Sequence, residues 1–576
     1  MKHEKMISRI LCLLLIAAMM VNLVGCTQPQ VPTVTDPTQT QAPTVQPTAP
    51  TTLPTTVPTF PSQPTTEPMP PEDANQLVFT LTQEDVDEFY RLLDECEKLA
   101  IAGEDMEAIE ASFDALDEMY EYLYAQNSIA MILYYYDMNA EGMKEQHLDT
   151  VEICTDASDA YTQSARRIYK SNTPARDMLF EGWTDRDIDM LMRYDEKIAD
   201  LQQRNSEIEV AYREASSDTD RIPLYIEFVQ NNNKIAKIYG YSNYYKYAYE
   251  IIYDRDYSDK EVKKMRKLAK ESLTLSFDWA NKKFNAAFQR LDSNEQKKVV
   301  AFLYNDYTTL PVDYVTRYLD AMPGNLKVDA TQMLTVDSMF SKSGGSRNGA
   351  FTTTIGDRSY CFFGREYSSV TTVIHEAGHY YASKYMDLGD IPLDLAEVHS
   401  QGNEWLFMSV VGRTMKKTEF AALSNYMLYN NLAMILICLM VDEFEQKVYS
   451  TNISKYTAAD FDALMTKVAE QYFDMSYITS NLTDVNSYWR AVVVEQPIYY
   501  ISYAVSVIAA IDLYTVATED FDAAAEIYRK LCEEPDPEAG FLGNITAVGL
   551  SSPFDKEFYQ GVSELIEAKD NPKGTL

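Results

Sequence analysis

From about residue 78 onward, apolar residues recur at spacings of three and four through long stretches, the signature of helices with one buried face. "LTQEDVDEFYRLLDECEKLAIAG" is the first. Thr82 suits the N-cap, Asp85 follows three residues on, and Gly103 supplies the stop. Similar segments run over 105–138, 143–171 and 185–215 with short connections, so antiparallel helices stacked as a lobe are expected. Two more, 221–256 and 259–284, lead into a second lobe. No convincing repeat links them. The pattern changes once, at "SKSGGSRNGAFTTTIGDRSYCFFGREYSS", which is Gly/Ser-rich and then β-like. Strands over 350–355 and 359–363 flank Gly356-Asp357, a tight-turn pair, and Ser368 or Ser369 then caps a helix. This hairpin is either a surface meander or an edge strand that a peptide can pair with.

Before residue 78 the chain reads differently. Lys2, Lys5 and Arg9 precede an apolar stretch, Ile10 to Val24, and then Gly25-Cys26. "LVGC" resembles a bacterial lipobox, which would make Cys26 the lipidated first residue of the mature protein. A plain signal peptide or short membrane helix is the alternative. Thr27 to Pro71 holds 14 Thr and 13 Pro in 45 residues. Such a stretch has nothing to bury and few backbone donors. It reads as an extended tether with a reach on the order of 100 Å. The expected organisation is a leader (1–25), a tether (26–75), an N-terminal helical lobe (76–215) and a second, larger domain (216–570) displayed outside the cell membrane. No later run reaches the ~18 apolar residues that a bilayer span needs: Asn431 to Val441 is too short, and Glu495 interrupts the apolar run near the C-terminus.

The 576 residues exceed one compact core, and 46% hydrophobic content, with 42 Tyr, is ample for a large interior. The net charge of −37 is spread along the chain, which argues against nucleic acid as a partner. The five remaining cysteines, Cys96, Cys154, Cys361, Cys438 and Cys532, are odd in number and widely spaced. They read as buried apolar residues and not as a disulfide frame.

The chemistry lies in "VIHEAGHYYA" (373–382), on the helix after the hairpin. His375 and His379 are four residues apart, so one helix face presents both imidazoles to one metal ion, with Glu376 beside the first. A chance pairing on a core helix is the alternative, and five histidines in 576 residues make it rare. A catalytic zinc site needs a third protein ligand and an open position. "LDLAEVHSQGNEWLF" supplies Glu397, 22 residues beyond His375, far enough for a helix to end and a second to return. Glu404, seven residues further, shares its face and is expected to orient a ligand imidazole; a solvated carboxylate is the alternative. His399 points elsewhere, toward a structural or substrate-side role.

"HEAGH" followed by "EVHSQGNEW" resembles the thimet oligopeptidase and oligoendopeptidase F family of zinc metallopeptidases. "NGAFTT", containing Gly349 and Ala350, looks like the family's strand segment beside substrate, and "EQPIYYISYAVS" (495–506) like its C-terminal tyrosine segment. The resemblance implies a mainly helical, two-lobed metallopeptidase with a deep channel. It also implies one Zn2+ on His375, His379 and Glu397, with Glu376 as general base. Tyr503 matches the tyrosine suited to stabilising an oxyanion, while Tyr499 and Tyr500 contact substrate or simply pack in the core. One departure stands out. The family carries a histidine just before the tyrosines; here its place falls at Val492 or Val493, and no histidine follows His399. The expected function is therefore a monomeric, lipid-anchored endopeptidase acting on extracellular oligopeptides. The alternatives are a peptide-binding surface lipoprotein with weak turnover and a zinc carboxypeptidase.

Overall fold

The structure, a computed structural model, describes residues 25–26 and 77–562, apart from 104, 304–314, 317–321, 342–343, 348, 357, 365–368, 387–390, 475–484, 492 and 495. The expected leader and tether, except Gly25 and Cys26, lie outside the described residues, as do Asp357, Ser368 and Val492.

The chain is mainly helical. Helices α1 (Gln83–Ala102), α2 (Met106–Tyr136) and α3 (Met143–Ser171) begin the body. Thr82 and Asp85 form a reciprocal capping box at the start of α1, and Gly103 ends it in the left-handed region at φ 65°. Phe89, Leu93, Phe113, Leu116 and Tyr161 fill a core between these helices, closed by Leu179 of the short α4 (Pro174–Leu179). Beyond α5 (Asp185–Arg193) lies α6 (Lys197–Glu214), which buries Ile198, Ile208 and Tyr212 in a second, much larger core. That core starts at Tyr194, ahead of the boundary near 216 read from the helical pattern.

The second core is built around two long, largely buried helices, α7 (Lys417–Ser450) and α8 (Ile501–Glu519). By length and composition both are capable of crossing a membrane, contrary to the expectation that no run beyond the leader is long enough. Both are largely buried in protein, as expected for a core helix with no polar face. Between them and the first lobe run Asp218–Ile238, Tyr244–Tyr247, a π-helical turn at Ala248–Ile252, and Asp259–Leu268.

The only sheet among the described residues is small. Strands β2 (Ser338–Phe340), β3 (Ala350–Ile355) and β4 (Arg358–Phe363) are ordered β3-β4-β2, with β3 and β4 antiparallel and β2 parallel to β4. Gly356, at φ 63°, makes the hairpin turn. The two-residue strand β1 (Gly25–Cys26) pairs antiparallel with the outer edge of β3 at Phe351 and Ala350. The sheet rests on α2 through Met131, Tyr134 and Tyr135, which meet Phe351 and Phe362. Its other neighbour is the helix that follows it, α9 (Val370–Ala382), whose first turn is capped by the Ser369 hydroxyl accepting from the Thr372 N–H at 3.1 Å. In the chain α9 leads into α10 (Leu393–Thr414). The five cysteines of the body are buried and free.

Candidate metal centre

Helices α9 and α10 cross in contact, and a glycine permits it. A Cβ on Gly378 would stand 2.3 Å from the His399 carbonyl oxygen and 2.7 Å from Ser400 Cα, distances no side chain tolerates. Asn403 adds a tie, its side-chain amide donating to the Ile374 carbonyl at 2.8 Å. This close approach sets the carboxylate of Glu397 opposite the two imidazoles. Glu397 Oε2 lies 3.6 Å from His375 Nε2 and 3.9 Å from His379 Nε2, and all three residues are fully buried. Their ligand atoms fall within 4.8 Å of one another.

Hydrogen bonds around this group select the atoms that face inward. His375 Nδ1 donates to Glu404 Oε1 at 2.7 Å, which leaves Nε2 to face Glu397 and His379. Glu404 thus lies against the His375 ring, on the side away from Glu397. Glu397 Oε1 accepts from the Tyr499 hydroxyl, while Ser400 Oγ donates to Oε2 at 3.1 Å. Two imidazole nitrogens and one carboxylate oxygen form a donor set suited to zinc, and the second polar atom of His375 and of Glu397 is tied by Glu404 and Tyr499. Electrostatics agree. Burial pushes the Glu397 carboxyl up from its ordinary range, partly offset by His375, Tyr499 and Ser400. Burial alone would lower His375, but the bond and charge of Glu404, with Glu397 and Glu376, push it up to about 9. His379 is pushed well below its ordinary value by burial and by the neighbouring His375 and His399. The pocket attracts positive charge at one imidazole and refuses a second proton at the other, which a divalent cation resolves.

Glu376, also fully buried, accepts from Thr352 Oγ1 on β3 at 2.7 Å. The helix that carries the ligands and the strand beside it therefore share one bond. Thr352 was not singled out from sequence, although strand alternation places it on the face of β3 shared by Ala350. Gly349, at φ 124°, leads into β3 and its carbonyl accepts from the Gly364 N–H at 2.8 Å. Ala350 is buried in the hairpin.

The tyrosines separate in role. Tyr499 sits on the Glu397 carboxylate, a contact that spacing did not disclose. Tyr503 packs edge-on against Tyr499 with centroids 5.0 Å apart, and Tyr500 lies 5.9 Å from Tyr503; all are buried. His399 is turned away from the pocket. Its Nε2 donates to the Leu531 carbonyl at 2.8 Å, its own carbonyl accepts from Tyr528, and burial holds its pKa down to about 4. That geometry is structural. Val493 is buried.

No family model matches the chain, and no curated protein matches it. Solved structures do. One described as PZ peptidase A with inhibitor 2 superposes with a TM-score of 0.66 at 16% identity, over 85% of this chain and 98% of that one. A Bacillus anthracis str. Ames protein, provisionally described as an oligoendopeptidase F, gives 0.66 at 15% identity, over 86% and 97%. Oligoendopeptidase-F from Enterococcus faecium gives 0.53 at 11% identity, over 85% and 98%. At these identities the match establishes the fold, which spans nearly the full length of each neighbour.

Proposed function

We propose that the chain is a zinc-dependent endopeptidase that hydrolyses short extracellular peptides and is held at the membrane through lipid on Cys26. The observation that carries this reading is the buried group His375, His379 and Glu397, with Glu376 on the same helix. The peptidase names of the structural neighbours support it.

His375 Nε2, His379 Nε2 and Glu397 Oε2 would hold the ion. Bound there, zinc supplies Lewis acidity, bringing the pKa of water down to about 7 and polarising a carbonyl. Everything else falls to this chain's side chains. The Glu376 carboxylate, steadied at Oε2 by Thr352, takes the proton of the attacking water and delivers it to the leaving amine. Tyr503 donates to the oxygen on which charge develops. The outer edge of β3 orients the peptide backbone.

The experiment is hydrolysis of a quenched peptide. Activity should vanish with chelator, return with zinc, and fall at least about 100-fold in Glu376→Gln while zinc stays bound. Unchanged turnover in that variant refutes the mechanism. A second reading, peptide binding with little turnover, is favoured by the valines at 492 and 493, where the resembled family carries a histidine. It predicts peptide affinity without cleavage across a mixed library. Release of single C-terminal residues from that library would instead indicate a carboxypeptidase.

A further inference from the structure

Three backbone irregularities converge on the metal centre from distant parts of the chain. Ile498 has φ 65°, a left-handed conformation that a β-branched residue adopts only under constraint. Asp254 has φ 41°, and a π-helical turn, Ala248–Ile252, lies just before it. Between these features stands Arg255, whose side chain is fully buried.

Arg255 joins the two. Its Nη2 donates to the Ile498 carbonyl at 2.9 Å and to Ser502 Oγ at 3.0 Å. Its guanidinium lies over the rings of Tyr249 and Tyr253, at 4.4 and 4.3 Å. Tyr253 donates its hydroxyl to the Pro497 carbonyl at 2.7 Å, and the Ile498 N–H donates to Glu445 Oε1 at 2.9 Å. The residue after Ile498 is Tyr499, whose hydroxyl holds Glu397. Arg255 also pairs with Asp394, its Nε 3.7 Å from Oδ1. Asp394 is on α10, three residues before Glu397, and is itself buried. One guanidinium therefore grips both the turn that presents Tyr499 and the helix that presents the carboxylate it bonds.

We propose that Arg255 is a positioning residue for the metal centre: with Tyr253 and Glu445 it clamps the Ile498 turn, and through that turn it fixes the Tyr499 hydroxyl on Glu397. The clamp leaves Oε2 as the oxygen that faces the two histidines. This inference rests on the zinc reading above. It assigns Arg255 no contact with substrate. Its effect passes entirely through Tyr499 and Glu397.

The test is a double-mutant cycle on zinc affinity, measured by competition with a chromophoric chelator in the purified full chain. The visible spectrum of the cobalt-loaded protein is a second readout. Arg255→Met should lower zinc affinity about 10-fold and shift the cobalt spectrum, and Tyr499→Phe should do the same. Combined, the two should cost less than about 2-fold beyond either alone, because they break one linkage. Arg255→Met leaves Asp394 buried without its partner, so Arg255→Met/Asp394→Asn serves as a second variant that removes both charges. A folded Arg255 variant that binds zinc within about 2-fold of wild type overturns the clamp, as does a loss equally large on top of Tyr499→Phe. Unfolding of both Arg255 variants would assign the residue to the core alone and also overturn it. Wild-type zinc binding that survives His379→Ala is a separate result, which refutes the zinc reading itself.

Discussion

Removal of the Glu404 carboxylate probes the site through a residue that touches neither metal nor substrate. Glu404 is 6% exposed and accepts the Nδ1 proton of His375 at 2.7 Å. A hydrogen bond to a charged group at such a site contributes about 1.5–3 kcal/mol. At about 1.4 kcal/mol per factor of ten, Glu404→Ala should weaken zinc binding about 10- to 100-fold. One effect opposes this at neutral pH. With Glu404 present, the metal-free His375 is pushed up to about 9, so zinc must displace a proton below that pH. The alanine variant carries less of that competition. Wild-type affinity should therefore keep rising with pH until about 9, while the variant levels off earlier, and the gap between them should be widest above pH 9. Glu404→Gln keeps an acceptor without the charge and should fall between the two. Chelator competition across pH 6.5–9.5 reads all three. Affinities for Glu404→Ala within about 2-fold of wild type at the alkaline end, on an unchanged pH profile, would refute the reasoning.

Two further outcomes follow from other contacts. Thr352→Val keeps the shape of the side chain but removes the donor to Glu376 Oε2; kcat should drop about 10-fold with zinc affinity unchanged, and a change in affinity alone would place Thr352 outside the proton-transfer path. His147, stacked 5.5 Å from Tyr134 near Arg213 and Arg347, is held down to about 4 by burial and then by those two charges, against 6.5 when exposed. The folded state thus favours the neutral ring: its stability contribution is present above 6.5 and is lost as pH falls from there toward 4, about 2 kcal/mol by pH 5. Denaturant melts of His147→Phe should show a flatter decline over that range than wild type, and parallel curves would exclude His147 as the cause.

Where structure follows from neighbours in sequence, it was readable in advance. The first helix runs from Gln83 to Ala102, bounded by the Thr82 cap and the Gly103 stop. The hairpin strands and the helix bearing His375 and His379 were likewise expected, and the mainly helical fold is shared with the solved neighbours. Glu397 and Glu404 were legible because a helical return makes seven-residue spacing equivalent to one face. The rest depends on contacts far apart in sequence. Tyr499 reaches Glu397 across 102 residues and Arg255 reaches Ile498 across 243, and no local pattern encodes either. Lys417–Ser450 and Ile501–Glu519 carry no polar face because they are surrounded by protein, so periodicity had nothing to register and their length as apolar helices was underestimated. The left-handed Ile498 defies its own residue preference, as a strained position held by several distant partners will.

The central claim is that His375, His379 and Glu397 hold one zinc ion. Anomalous diffraction at the zinc edge, from crystals of the wild-type protein grown with zinc, tests it most directly. A single strong peak is expected about 2.0–2.2 Å from His375 Nε2, His379 Nε2 and a Glu397 carboxylate oxygen. No peak between these three residues at saturating zinc would contradict it.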